Sequence, residues 1–136
     1  MCGFWSWSRL KDFEGTIPNA LEKVLQLGGY YFRENETAKE LGYENDKRQV
    51  GVSAQEVQNV LPEVVTEAPI DDKYLTVWYD KLVPLLIEAI KELNQKKELI
   101  DQSIVDMKSK LEGLDKSTNE LKGHVENSQK GIGDLN

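Results

Sequence analysis

Apolar residues follow two different rhythms along this chain, and the change falls near residue 80. From Leu86 onward they recur with alternating four- and three-residue spacing. Taking Leu86 as a d position, d continues through Leu93, Ile100, Met107, Leu114, Leu121, Ser128 and Leu135. The a positions are Ile90, Lys97, Ile104, Leu111, Thr118, Val125 and Ile132, so only Lys97, Thr118 and Ser128 interrupt the seam. A helix packed on a globular core drifts off a strict seven-residue repeat, because 3.6 residues per turn is not 3.5. A repeat held for about seven heptads points instead to an intermolecular coiled coil, roughly 75 Å long from Leu86 to Leu135. Ile and Leu occur at both a and d, without the β-branched-a, Leu-d separation that favours dimers, so three strands are compatible with the pattern.

Before residue 80, short apolar runs alternate with turn residues, as expected of a small α+β unit. Thr16-Ile-Pro-Asn-Ala-Leu-Glu22 has the marks of a helix start. Ile17, Ala20, Leu21, Val24 and Leu25 would form its apolar face, and Gly28-Gly29 would end it. Tyr30-Tyr-Phe-Arg33 and Gln49-Val-Gly-Val52 read as strands, with the polar 34–47 segment between them a loop or protruding hairpin. Ser53-Ala-Gln-Glu56 has the spacing of a capping box, opening a helix that turns Ala54, Val57, Val60 and Leu61 inward and ends before Pro62. Val64-Val65 and Leu75–Tyr79 would be strands around a turn at 69–73, and the last helix begins near Asp80.

Composition narrows the chemistry. The 136 residues carry a formal charge of −7, which argues against nucleic-acid or anionic-membrane binding. One cysteine excludes an intrachain disulfide and a cysteine-cluster metal site. One histidine, His124 at a g position of the repeat, excludes a histidine triad and reads as a solvated flank. No apolar run reaches the ~18 residues of a membrane span, and no basic segment precedes an apolar one at the N-terminus, so no signal peptide is expected. Cys2 reads as an incidental residue, while Phe4, Trp5 and Trp7 are expected to pack on the edge of their own domain. Capping and surface roles suffice for Glu56 and Glu63. No metal, cofactor or small-molecule substrate is expected.

Three blocks then carry a resemblance. Gly51-Val-Ser-Ala-Gln-Glu-Val-Gln-Asn-Val-Leu-Pro-Glu-Val-Val65, Tyr74-Leu-Thr-Val-Trp-Tyr79 and Lys81-Leu-Val-Pro-Leu-Leu-Ile-Glu-Ala-Ile-Lys-Glu-Leu93 resemble the C-terminal intramolecular chaperone domain of phage endosialidases, tail spikes and tail fibres. Ser6-Trp-Ser-Arg-Leu-Lys11 and Asn19-Ala-Leu-Glu-Lys-Val24 extend the match to about residues 6–93. The resemblance implies a parallel homotrimer that aligns three chains of a fibrous passenger without a nucleotide, then leaves by self-cleavage. It also implies a serine–lysine dyad, carried over onto Ser6 and Lys11. Lysine in that role suits a chain with one distant histidine, because a desolvated lysine can act as base for a hydroxyl nucleophile. Trp7 stands where the motif usually has an acidic residue. The 34–47 segment corresponds to the place where such chaperones extend arms along the passenger.

The expected organisation is an N-terminal remnant (1–5), an α+β head (6–85) and a trimeric coiled coil (86–136). The expected function is a folding and trimerisation chaperone for a phage tail fibre or tail spike, at most an autoproteolytic serine peptidase acting on its own chain. The competing function is a permanent trimerisation part of the fibre without peptidase activity. The setting would be the bacterial host cytoplasm during assembly, or the virion tail if the part is retained.

Overall fold

The computed structural model describes residues 6–134, and the expectations for Cys2, Phe4, Trp5 and Leu135 lie outside that range. The architecture is α+β: a small head with two separate two-stranded sheets, followed by one long C-terminal helix. The chain divides into two compact units between Leu93 and Asn94.

In the first unit, α1 spans Ala20–Leu25 and starts four residues later than the Thr16 start read from the sequence. The delay has a local cause. Pro18 disfavours helical geometry at Ile17, and Asn19 takes a left-handed conformation (φ 53°), which Asn tolerates better than most residues. Ala20 is fully buried, but Leu25, assigned to the same inward face, is 75% exposed. With the helix only six residues long, Leu25 sits in its last turn, past the core.

β1 (Tyr30–Phe32) pairs antiparallel with β2 (Gln49–Gly51), matching Tyr31 with Val50. The intervening segment is not a plain loop or a hairpin, because Glu36–Glu40 forms a short helix, α2. Its N-cap is Asn35, whose side chain accepts a hydrogen bond from the Ala38 N–H at 3.0 Å.

α3 (Ala54–Val60) buries Val57 and Val60, as its spacing requires. Leu61 ends it in a non-helical conformation ahead of Pro62, and a 3₁₀ turn at Pro62–Val64 leads into β3 (Val65–Ala68). β3 pairs antiparallel with β4 (Asp71–Val77), with a register irregularity at Glu67/Ala68. A second 3₁₀ turn, Tyr79–Leu82, precedes α4 (Val83–Asp134).

The core consists of Ala20, Val57, Val64, Leu82, Leu85 and Ala89, with Ile17, Leu21, Val24, Leu27, Val52, Leu61, Val65 and Val77 packed against it. The first turns of α4 are therefore part of the head. Glu92 adds a polar clamp: its two carboxylate oxygens accept from the backbone N–H groups of Ala20 (3.0 Å) and Leu21 (2.7 Å). These are orphan donors at the start of α1, which the left-handed Asn19 does not cap with its own side chain.

In the second unit, α4 continues through Gly113, Gly123, Gly131 and Gly133, where a Cβ would meet no neighbouring atom within 4 Å. Its polar side chains bond along the helix, as in the Lys97–Asp101 pair at 2.7 Å.

Leu85→Ala is expected to destabilise the head by about 2–5 kcal/mol, and Leu25→Ala by no more than about 0.5 kcal/mol. Urea unfolding followed by tryptophan fluorescence measures both. Equal losses would overturn the assignment of Leu85 to the core and Leu25 to solvent.

Candidate functional site

Three features of the described residues bear on function: the N-terminal turn, the exposed face of α4 and the bridge that Glu56 makes across the head. At the N-terminus, Ser8–Leu10 forms a 3₁₀ turn. The Leu10 N–H donates to the Trp7 carbonyl at 3.0 Å and the Lys11 N–H to the Ser8 carbonyl at 3.2 Å. Ser6 and Lys11 flank this turn, both exposed. Trp7 is the N-cap residue and makes no side-chain cap bond, which its indole could not accept in any case. It is 69% exposed, not packed on its domain's edge. Residues 6–16 are exposed throughout, so in the single chain this segment is an uncovered arm.

The a and d residues of α4 are exposed as well. In the first unit these are Leu86, Ile90 and Leu93, next to Val83 and Ile87 on the same outward side. In the second unit they are Ile100, Ile104, Met107, Leu111, Leu114, Leu121, Val125 and Ile132. Residues at heptad spacing lie on one stripe of a helix, and a stripe this long is far more than an isolated chain leaves in water by chance. Two of the three polar interruptions are satisfied on their own helix: Lys97 pairs with Asp101, and the Thr118 hydroxyl donates to the Leu114 carbonyl at 2.8 Å. His124 lies exposed on the helix.

Glu56 does not complete a capping box. Ser53 makes no cap bond at the start of α3, its hydroxyl lying 3.2 Å from Gln55 Oε1 instead. Glu56 reaches across the head, accepting from the Gly28 N–H at 3.0 Å and the Tyr30 hydroxyl at 2.6 Å. The Tyr30 bond and the Gly28 bond hold the Glu56 carboxyl below its ordinary 4.5, and the same carboxylate raises the Tyr30 phenol above 10.0. The ring of Tyr30 lies across Gly28, where an added Cβ would fall 2.3 Å from it. This bridge ties α3 to the segment entering β1. The sequence signal was Gly28 two residues before Tyr30, but the Ser53–Glu56 spacing suggested a local role for the same carboxylate.

A cleft of about 410 Å³ opens between α2 and the β3–β4 turn, lined by Ala38, Leu41, Tyr43, Ile70, Tyr74 and Leu75 among others. No cluster of His, Cys, Asp and Glu among the described residues could hold a metal ion. No helix among them is long and apolar enough to cross a membrane.

With this geometry in place, comparison with known proteins gives a consistent answer. Residues 8–66 match the family described as chaperone of endosialidase. The chain is 40% identical over 94 residues to the long tail fiber protein Gp37 of Enterobacteria phage K3, covering 67% of this chain and 7% of that protein. It is 36% identical over 94 residues to the protein of the same name in Enterobacteria phage M1, of which it spans 37%. The Escherichia phage AR1 protein is 32% identical over 84 residues, and the chain spans 8% of it.

The pH dependence of the Glu56 bridge has a definite sign. Its stabilisation is complete above pH 4.5 and fades as pH falls through the lowered pKa of Glu56. On the alkaline side it is complete below pH 10.0 and is lost as Tyr30 ionises above that. Urea midpoints measured across pH should show Glu56→Gln losing most stability near neutrality and converging on the parent at low pH. A constant gap between the two proteins would overturn the bridge's contribution.

Proposed function

We propose that the chain, which carries a domain of the chaperone of endosialidase family, is a trimerisation and folding chaperone for a phage tail fibre. The carrying observation is the heptad stripe of α4, exposed on the single chain from Leu86 to Ile132. Three such stripes bury one another in a parallel coiled coil, which brings the heads together at one end. A fibre of intertwined strands buries little until all its chains align, so association and loop-closure entropy oppose nucleation. A coiled coil that forms first converts that encounter into an intramolecular one, at an effective concentration of the order of millimolar. Helix association supplies the driving force, so no nucleotide is required. The setting would be the host cytoplasm during particle assembly.

Release by self-cleavage is the finer part of this reading. Lys11, as the neutral amine, takes the proton of the Ser6 hydroxyl, and the serine oxygen attacks the carbonyl carbon of a peptide bond beside it. The C–N bond breaks, the proton passes to the leaving amine, and water hydrolyses the ester that remains. Desolvation of the lysine favours this chemistry. Both residues are exposed on the single chain, so association of three chains is the event that would cover them. A chain that assembles without cutting would serve as a permanent trimerisation part of the fibre.

Two measurements test the reading. Aspartate at Leu93, Ile100 and Ile104 together should reduce trimers to monomers in analytical ultracentrifugation, since each places a charge in the seam; persistent trimers would sink the seam assignment. The second is intact mass over time of the chain fused behind a triple-stranded fibre fragment. Cutting beside Ser6 is expected, and its absence in Ser6→Ala. A fusion that trimerises and stays whole would leave the permanent-part reading standing and remove the peptidase.

A further inference from the structure

The cleft between α2 and the β3–β4 turn has an apolar floor and an acidic surround. Leu41, Tyr43, Ile70, Tyr74 and Leu75 line it, and Ile70, Tyr43 and Tyr74 are each more than 40% exposed. The two stretches that wall it, residues 35–44 and 67–76, carry six carboxylates against two lysines. Of these, Glu40, Glu44, Glu67 and Asp72 are exposed, and none is in an ion pair among the described residues. A ligand suited to this surface is a short segment with large apolar side chains interleaved with cations.

The chain itself contains such a segment. Trp7-Ser-Arg-Leu-Lys11 has two large apolar side chains, two cations and no acid. Trp7 is 69% and Leu10 60% exposed, so the segment leaves in water the side chains that the cleft would take up. The 3₁₀ turn at Ser8–Leu10 already gives it a defined conformation, which lowers the ordering cost of docking.

We propose that the Trp7–Lys11 turn of one chain docks in the acidic, apolar cleft of a neighbouring chain. Trp7 and Leu10 would enter the apolar floor, and Arg9 would face the acidic rim that includes Glu40 and Asp72. The inference rests on the trimer reading, because the coiled coil is what places a second copy within reach. It adds an intersubunit contact that locks head to head. It also gives Trp7, which replaces an acidic residue of the motif, a specific task as the anchor of the arm.

The test uses the full chain in a Cys2→Ser background. One tagged copy carries Ser8→Cys and a differently tagged copy carries Thr37→Cys, which lines the cleft without being one of the proposed anchors. The two are co-expressed and treated with a short bismaleimide, and sedimentation is measured on the same samples. The expected result is a trimer that yields a covalent conjugate between the two tags. Its yield should fall about tenfold when Glu40→Lys and Asp72→Lys are added, since reversed rim charges repel the arm. A trimer that gives no mixed conjugate overturns the docking. So does a conjugate that appears only when both cysteines lie on one chain, which would place the arm in its own cleft. A chain that sediments as a monomer overturns the trimer premise instead, and the sedimentation record separates that failure from the others.

Discussion

Leu85 and Ala89 of α4 are buried in the head, while Leu86, Ile90 and Leu93 of the same helix are exposed. The two sets lie about 100° apart around one helix. The start of α4 therefore belongs to two hydrophobic surfaces at once, one internal and one facing outward. Within the first unit, the direction in which Leu86, Ile90 and Leu93 face is set by the way Leu85 packs against the core. Glu92 reinforces the arrangement by capping the start of α1 from the same inward side.

The distribution of apolar side chains is the physical basis of the proposed association. Among the described residues, seven apolar side chains are buried and 28 large ones are exposed. At ~1.5–3 kcal/mol for each large apolar side chain taken fully out of water, most of the available driving force is unspent in the single chain. Fifteen of the 28 lie on α4, and packing of such a stripe against another helix is what the proposed association would add. The head is held by a small core supplemented by two carboxylates, Glu56 and Glu92, that each satisfy backbone donors far away in sequence.

Glu56 shows how a local motif can mislead. Ser53-x-x-Glu56 has the spacing of a capping box, and α3 does begin after Ser53. The glutamate nonetheless bonds to Gly28 and Tyr30, because the head brings two donors to it that a capping role would leave unmatched. The α2 segment is a similar case. Five helical residues carry too little periodicity to stand out, and the Asn35 cap is the one feature that marks them.

Sequence alone determined the elements whose cause is periodic or local. The seven-residue repeat is visible because a helical seam must return every 3.5 residues to keep facing its partner. The strands and α3 are visible because their turn and breaker residues act on their immediate neighbours. The resemblance that points to Ser6 and Lys11 is a pattern of residues and carries no geometry. The tertiary structure decided what depends on contacts distant in the chain. It moved the start of α1 to Ala20, turned Leu25 to solvent, sent Glu56 and Glu92 across the head and joined α2 to the β3–β4 turn in one cleft. Such choices rest on which donors and apolar surfaces meet once the chain is folded, and a linear pattern records the groups without recording their meeting.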